Sequence, residues 1–325
     1  MARKLGMATR DAYGQKLVEL GRKYQEIVVL DADLSKSTKS ALFAKEFPER
    51  FFNFGIAEAN MVGTASGLAA SGKIPFCSSF ACFLLCRAYD QIRMCVAFPE
   101  LNVKLVGSHG GITVGEDGAS QHAIEDIALA TSLPGFTVIV PADEFATRAL
   151  VEAAALYRGP VYIRLGRPRA PIVYDENSQF EIGKAVILRE GRDCTIIANG
   201  FMVIEALEAA EALMAEGLEA GVIDMHTVKP LDEVAVERAA RQTGAIVTAE
   251  EHQIWGGLGS AVARVLARRY PVPMEFVAIN DTYAESGKPE ELLKKYGLTA
   301  ADIARAVRKV VQVKTVGRAA ASVAD

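Results

Sequence analysis

Glu58 is the first residue of this chain whose setting suggests chemistry. It is the lone carboxylate in Asn53-Phe54-Gly55-Ile56-Ala57-Glu58-Ala59-Asn60-Met61, between an apolar, strand-like stretch (Phe51, Phe52, Phe54) and a small-residue helix running from Met61 to Ala70. A strand-to-helix junction lies at a sheet edge, where α/β proteins bind ligands. A carboxylate there can hold a proton or a hydrogen bond at a ligand atom, although a first-turn acid favoured by the helix dipole would look the same. Phe80 and Phe83 follow in Phe76-Cys77-Ser78-Ser79-Phe80-Ala81-Cys82-Phe83. Three apart on an apolar helix, such a pair packs a core; facing a cleft, it offers the π-face that a flat ring needs. His109 comes after a strand-like run and before Gly110-Gly111, where the backbone is open to a ligand. Beyond it lies Gly115-Glu116-Asp117-Gly118-Ala119-Ser120-Gln121.

The elements that must position these residues follow from hydrophobic patterning. Apolar runs at 27–30, 103–107, 137–140 and 161–165 read as buried strands, and helices are expected over 9–23, 59–70, 84–98, 124–131 and 143–157. Short apolar strands alternating with helices predict a mostly parallel sheet covered on both faces. A polar stretch over 175–182 reads as a linker. A second series follows it, with strands at 194–198, 220–224, 244–248 and 274–277 and helices at 203–216, 231–242 and 259–269. The expectation is therefore α/β, with two doubly wound, mostly parallel-sheet domains over 1–185 and 186–312 and a flexible tail over 313–325.

Bulk composition narrows the function classes. The 325 residues are 50% hydrophobic and 23% charged, an ordinary globular balance. A net charge of −4 argues against nucleic acid as a general partner. With no long uncharged apolar run, a cytoplasmic protein without a membrane span is expected. Of the five cysteines, Cys77, Cys82, Cys86 and Cys95 cluster in one apolar region and read as core filling rather than a metal or redox site. No metal ligands are assigned in this chain.

Taken together, Phe54-Gly55-Ile56-Ala57-Glu58, Ser79-Phe80-Ala81-Cys82-Phe83 and the loop from Ser108 to Gln121 resemble the pyrimidine-binding half of the transketolases, enzymes of thiamine diphosphate. The resemblance runs in order over 5–310, as pyrimidine-binding domain and then C-terminal domain. It implies that Glu58 hydrogen-bonds N1′ of the aminopyrimidine and favours the tautomer that removes the thiazolium C2 proton. Phe80 and Phe83 would form the pyrimidine pocket, with Cys86 where some members carry a third aromatic. Asp33 would support the cofactor at the domain junction. His109 would touch substrate near the reacting carbon and Asp117 a sugar hydroxyl. Gln121 stands where the family has either histidine or glutamine. Arg10, Ser37 and Arg167 would bind the terminal phosphate of a sugar phosphate.

The resemblance also leaves a gap. Thiamine enzymes hold diphosphate and Mg²⁺ (or Ca²⁺) with Gly-Asp-Gly and a downstream asparagine, and that tripeptide does not occur here. A split transketolase is implied: a separate N-terminal subunit would carry the diphosphate and metal site, and two copies of each chain would assemble around a dimer of this one. The glycine-rich Trp255-Gly256-Gly257-Leu258-Gly259-Ser260, at the start of a helix, is a second place where a phosphate could bind, although the family's C-terminal domain has a similar stretch without catalytic duty. Three alternatives stay open. They are half of a 1-deoxyxylulose-5-phosphate synthase, the beta subunit of a 2-oxo acid dehydrogenase, and a non-catalytic interaction subunit.

Overall fold

The structure is a computed structural model describing residues 4–324. In chain order, the strands of the first half are β1 (Leu5–Ala8), β2 (Ile27–Asp31), β3 (Phe51–Asn53), β4 (Ile74–Phe80), β5 (Lys104–Ser108), β6 (Thr137–Ile139), β7 (Val161–Arg164) and β8 (Arg169–Pro171). Those of the second half are β9 (Val186–Arg189), β10 (Cys194–Ala198), β11 (Ala220–Asp224), β12 (Thr227–Lys229), β13 (Ile246–Gln253) and β14 (Met274–Ile279). Helices α1 (Thr9–Lys23), α2 (Ser35–Thr38), α3 (Ala41–Glu46), α4 (Glu58–Ala70), α5 (Ala81–Arg87), α6 (Tyr89–Gln91), α7 (Asp126–Ser132) and α8 (Glu144–Leu156) belong to the first half. The second half adds α9 (Met202–Met214), α10 (Glu233–Thr243), α11 (Leu258–Arg269), α12 (Pro289–Lys295) and α13 (Ala300–Ala324).

Two sheets carry the fold. One has the order β12-β6-β7-β5-β4-β2-β3 and the other β14-β13-β10-β11-β9. Pairings are parallel except those of β12 and β9, which lie antiparallel at sheet edges. Every residue of β2, β5, β7, β10 and β11 is buried, as a strand packed on both faces requires.

The strand that closes the first sheet comes from the second half of the chain: Thr227 pairs with Ile139, and Val140 N–H donates to His226 O at 2.8 Å. A division at residue 185 therefore separates the two α/β series but not the two sheets. The reason is hydrogen bonding, because β6 would otherwise expose an unpaired edge. Two further expectations change. The segment 84–98 is not one helix: α5 ends at Arg87, Ala88 breaks the run, and a π-type turn covers Ile92–Ala97. The stretch from Gln312, read as a tail, continues α13 through Ala324. Buried Ile303, Val307 and Val310 give that helix an apolar stripe, and Lys314 Nζ donates to Asp193 O and Thr243 O, both at 2.7 Å.

Arg164 fastens the two halves together. It sits at the end of β7 with 5% of its surface exposed and forms an ion pair with Asp126 at 3.1 Å. Its Nη2 donates to Ala123 O at 2.7 Å and, across the seam, to Glu251 O at 2.8 Å. The Glu251 carboxylate returns the connection by accepting Thr113 N–H at 2.6 Å. Removing one member of a buried pair leaves the other charged and unmet. Arg164→Met should therefore cost about 3 kcal/mol or more in denaturant unfolding, and Asp126→Asn, which keeps an acceptor, should cost less.

Candidate functional site

β2 and β4 are neighbours whose connections leave in opposite directions, toward β3 on one side and β5 on the other. Such a switch point opens a crevice at the carboxyl ends of the strands. Asp33 and Ser37 follow β2, Glu58 follows β3, Phe80 ends β4, His109 follows β5 and Arg167 follows β7. Arg10 lies in the first turn of α1. Residues scattered over the first half of the chain are thus gathered at one sheet edge.

A run of planar groups crosses this edge. Glu58, at the first position of α4, is only 3% exposed, and its Oε1 is paired with Arg87 Nη1 at 3.1 Å. Among the described residues its other oxygen receives no hydrogen bond. The Arg87 guanidinium lies 4.1 Å over the Phe83 ring, which the i, i+4 spacing on α5 permits. Phe83 stacks on Phe80 with centroids 5.6 Å apart and 16° between planes, and Phe80 stacks on the His109 ring at 3.7 Å and 25°. Phe80 ends a strand in extended backbone and Phe83 lies on the following helix. The turn between strand and helix, not helical spacing throughout, brings the rings face to face.

The far end of the run is cationic. Arg10 Nη1 meets His109 Nε2 at 3.1 Å and donates to Ser37 O at 3.0 Å. Since arginine only donates, Nε2 must be the acceptor, so the Nδ1–H of His109 is directed at Ser108 Oγ, 2.8 Å away. Burial, then the charges of Arg10, Arg167 and Lys39, lower the His109 pKa to about 3. His109 is thus a neutral imidazole held by a cation rather than a proton carrier in this arrangement. Its φ of +59° is left-handed, a strained conformation that histidine tolerates better than most residues. Arg167 Nη1 donates to Val114 O and pairs with Glu116 at 3.3 Å. The Ser37 loop is held from beneath by Asp31, which is fully buried. It accepts Leu34 N–H at 2.6 Å and the hydroxyls of Thr38 and Ser40, each at 2.8 Å.

The remaining assigned residues lie less centrally. Asp33 is exposed, has φ +65° and exchanges hydrogen bonds with Asn53, at 3.1 and 3.2 Å. Asp117 is exposed on the turn beyond Arg167's partner Glu116, and half-buried Gln121 accepts the Ser120 hydroxyl. Cys77, Cys82 and Cys194 are buried as core-fillers should be, but Cys86 is exposed, with its thiol 3.8 Å from Glu125. Its neighbour Arg87 pairs with Glu58, while Leu84 and Leu85 on the same turn of α5 stay in the core. The glycine-rich start of α11 has no vacancy for a phosphate. Glu250 fills it by accepting the N–H groups of Leu258 and Gly259, both at 2.8 Å. Sequence reading gave no role to Arg87, Asp31 or Arg164. Only Arg87 left a signal, its spacing from Phe83.

Together these features place a buried carboxylate, an aromatic pair and two arginines along one crevice of an α/β sheet. Residues 6–172 match the transketolase pyrimidine binding domain, and residues 183–303 the transketolase C-terminal domain. A solved structure described as a split gene transketolase, inactive beta4 tetramer, is 54% identical, with a TM-score of 0.90 over 95% of this chain and 100% of its own. The 6-deoxy-6-sulfo-D-fructose transketolase subunit SqwH of Clostridium sp. (strain MSTE9) is 47% identical over 94% of this chain and 95% of its own length. Homo sapiens transketolase is 44% identical over 94% of this chain, which spans 49% of the human protein. The chain belongs to the transketolase family. It corresponds to the C-terminal subunit of a split transketolase, a thiamine diphosphate-dependent transferase that acts with a partner chain.

The electrostatics of His109 can be tested directly. An unfolded histidine takes its proton near pH ~6.5, and His109 in the folded chain only at about 3. Between those values the unfolded chain binds more protons, so this residue's contribution lowers stability as the pH falls. Nitrogen NMR of His109 should show the neutral Nδ1–H form from about pH 8 to about pH 5. Arg10→Met should raise its pKa, and a wild-type titration near neutrality would contradict the arrangement.

Proposed function

We propose that this chain supplies the pyrimidine-binding half of a ketol-transferring site, and that a separate chain supplies the diphosphate and Mg²⁺ half. The observation that carries the reading is the continuous run from the Glu58 carboxylate through Arg87, Phe83, Phe80 and His109 to Arg10. It joins a proton-holding group to an anion-binding group through aromatic faces. The residues fit thiamine diphosphate: a buried carboxylate, with one oxygen that receives no hydrogen bond among the described residues, stands beside an aromatic wall. When bound, that cofactor supplies the electron sink that lets a carbon–carbon bond beside a carbonyl break and re-form.

Each side chain then has a distinct task. Glu58 holds a proton or hydrogen bond at the ring nitrogen, in a pocket dry enough to strengthen it. Phe83 and Phe80 orient the ring and exclude water. Arg10 and Arg167 bind the terminal anion of the sugar, with Ser37 beside them, and His109 aims Arg10 through Nε2. Asp117 and Gln121 sit at the mouth, where sugar hydroxyls would pass, and Asp33 supports the cofactor side. The substrates are a ketose phosphate as donor and an aldose phosphate as acceptor. The relative named for 6-deoxy-6-sulfo-D-fructose suggests that the mouth can suit other terminal anions. Two copies of each chain would form the working assembly.

The test is a ketol-transfer assay with thiamine diphosphate, Mg²⁺, xylulose 5-phosphate and ribose 5-phosphate. Activity is expected only when a diphosphate-binding partner is added; turnover by this chain alone, or from pyruvate instead of the ketose, would overturn the reading. In the mixture, Glu58→Gln should lower kcat by roughly 10²–10⁴-fold. Arg167→Met should raise KM for the phosphorylated acceptor about tenfold or more, with little effect on an unphosphorylated one.

A further inference from the structure

We infer that Arg87 stands in for the cofactor's aminopyrimidine in this chain, so that its guanidinium must swing out before the ring can bind. This inference rests on the assignment of Glu58 and Phe83 to that ring. Phe80 is buried, stacked on His109 at 3.7 Å and beside Phe83 at 5.6 Å. What remains for a flat ligand is Phe83, the less buried of the two rings, and Arg87 lies over it at 4.1 Å. The same guanidinium pairs with Glu58 Oε1 at 3.1 Å. Arg87 therefore makes, with one planar group, the two contacts that the ring needs: an N–H directed at the carboxylate and a π-stack on a phenyl face.

The mimicry is chemical as well as geometric. A guanidinium and an aminopyrimidine are both flat and conjugated, and both present N–H groups at their edge. One face of Phe83 cannot carry both. Arg87 also has somewhere to go: its side chain is 47% exposed, whereas Glu58 is 3% exposed. The guanidinium can return to water while the carboxylate stays buried. A site occupied by its own side chain binds with an affinity reduced by the fraction of time it is open. Before loading, Arg87 has a use, since it keeps a buried carboxylate from standing unpaired.

The experiment uses the two-chain complex stripped of cofactor. Thiamine diphosphate and Mg²⁺ are added, and binding is followed by stopped-flow protein fluorescence and by equilibrium titration. Arg87→Met should load faster and bind about tenfold more tightly, a gain of about 1.4 kcal/mol. Arg87→Lys, which keeps the charge but loses the planar stack, should fall between. Unchanged or weaker binding by Arg87→Met would overturn the inference and make Arg87 a permanent support of Glu58. A second measurement does not depend on comparing variant folds. Guanidinium at millimolar concentration should slow loading of Arg87→Ala back toward the wild-type rate, relative to sodium chloride of equal ionic strength. No difference between the two salts would overturn it. If the wild-type complex binds no thiamine diphosphate at all, the functional reading fails and this inference with it. If wild type binds and Arg87→Met binds no better, only this inference fails.

Discussion

Arg164 brings a full charge to a place that water barely reaches, and the geometry of the crevice follows from how that charge is met. A buried guanidinium must be answered by acceptors in fixed directions. Here the Ala123 carbonyl and, from the other half of the chain, the Glu251 carbonyl accept its hydrogen bonds, and Asp126 balances the charge as an ion pair. Tyr162 donates to the same Asp126 oxygen at 2.6 Å. The loop from His109 to Ala123 is thereby held at both ends: Gly110 N–H donates to Leu165 O at 3.0 Å and Gly111 N–H to Ala123 O at 2.8 Å. Gly110 must be glycine for this to work, since a Cβ there would run into Arg164. His109 keeps its left-handed backbone because its neighbours on both sides are fixed.

The second organising feature is the alternation of charge and aromatic surface along the crevice. Glu58 is followed by Arg87, the two phenyl rings and the imidazole, and then by Arg10. Cation–π and stacking contacts are individually modest, but in series they link a proton-holding carboxylate to an anion-binding arginine in the chain without cofactor. His109 reports the electrostatic character of its end. Burial and neighbouring cations keep it neutral, which frees its lone pair for Arg10. Asp31 plays a comparable part below Ser37. Burial pushes its pKa up, but hydrogen bonds from Thr38, Leu34 and Ser40 oppose that push and hold the loop that receives Arg10.

Much of the fold was legible in the chain. Helix α1 and strand β2 stand where periodicity put them, because each buries a continuous apolar face. Motif resemblance singled out Glu58, Phe80, Phe83 and His109, and these four lie at one sheet edge. What patterning missed is instructive. The π-type turn after α5 leaves no mark in an apolar run that also suits an unbroken helix. The crossing of β12 was invisible because a three-residue strand has too little pattern to read. Cys86 looked like core filling by composition, yet it shares a helical turn with Arg87 and faces outward.

By itself the sequence determined which chemistries are available: one carboxylate at a strand-to-helix junction, a pair of aromatics, a histidine before glycines, and arginines spread over the first half. It also determined the alternation of strands and helices, because hydrophobic period is a local property. Only the tertiary structure decided that Arg87 covers Phe83 and pairs with Glu58, that Arg10 takes the lone pair of His109, and that Glu251 from the far half closes onto Thr113. These are contacts between residues distant in the chain or set by side-chain direction. Their energies depend on burial, and burial exists only once the sheets have packed.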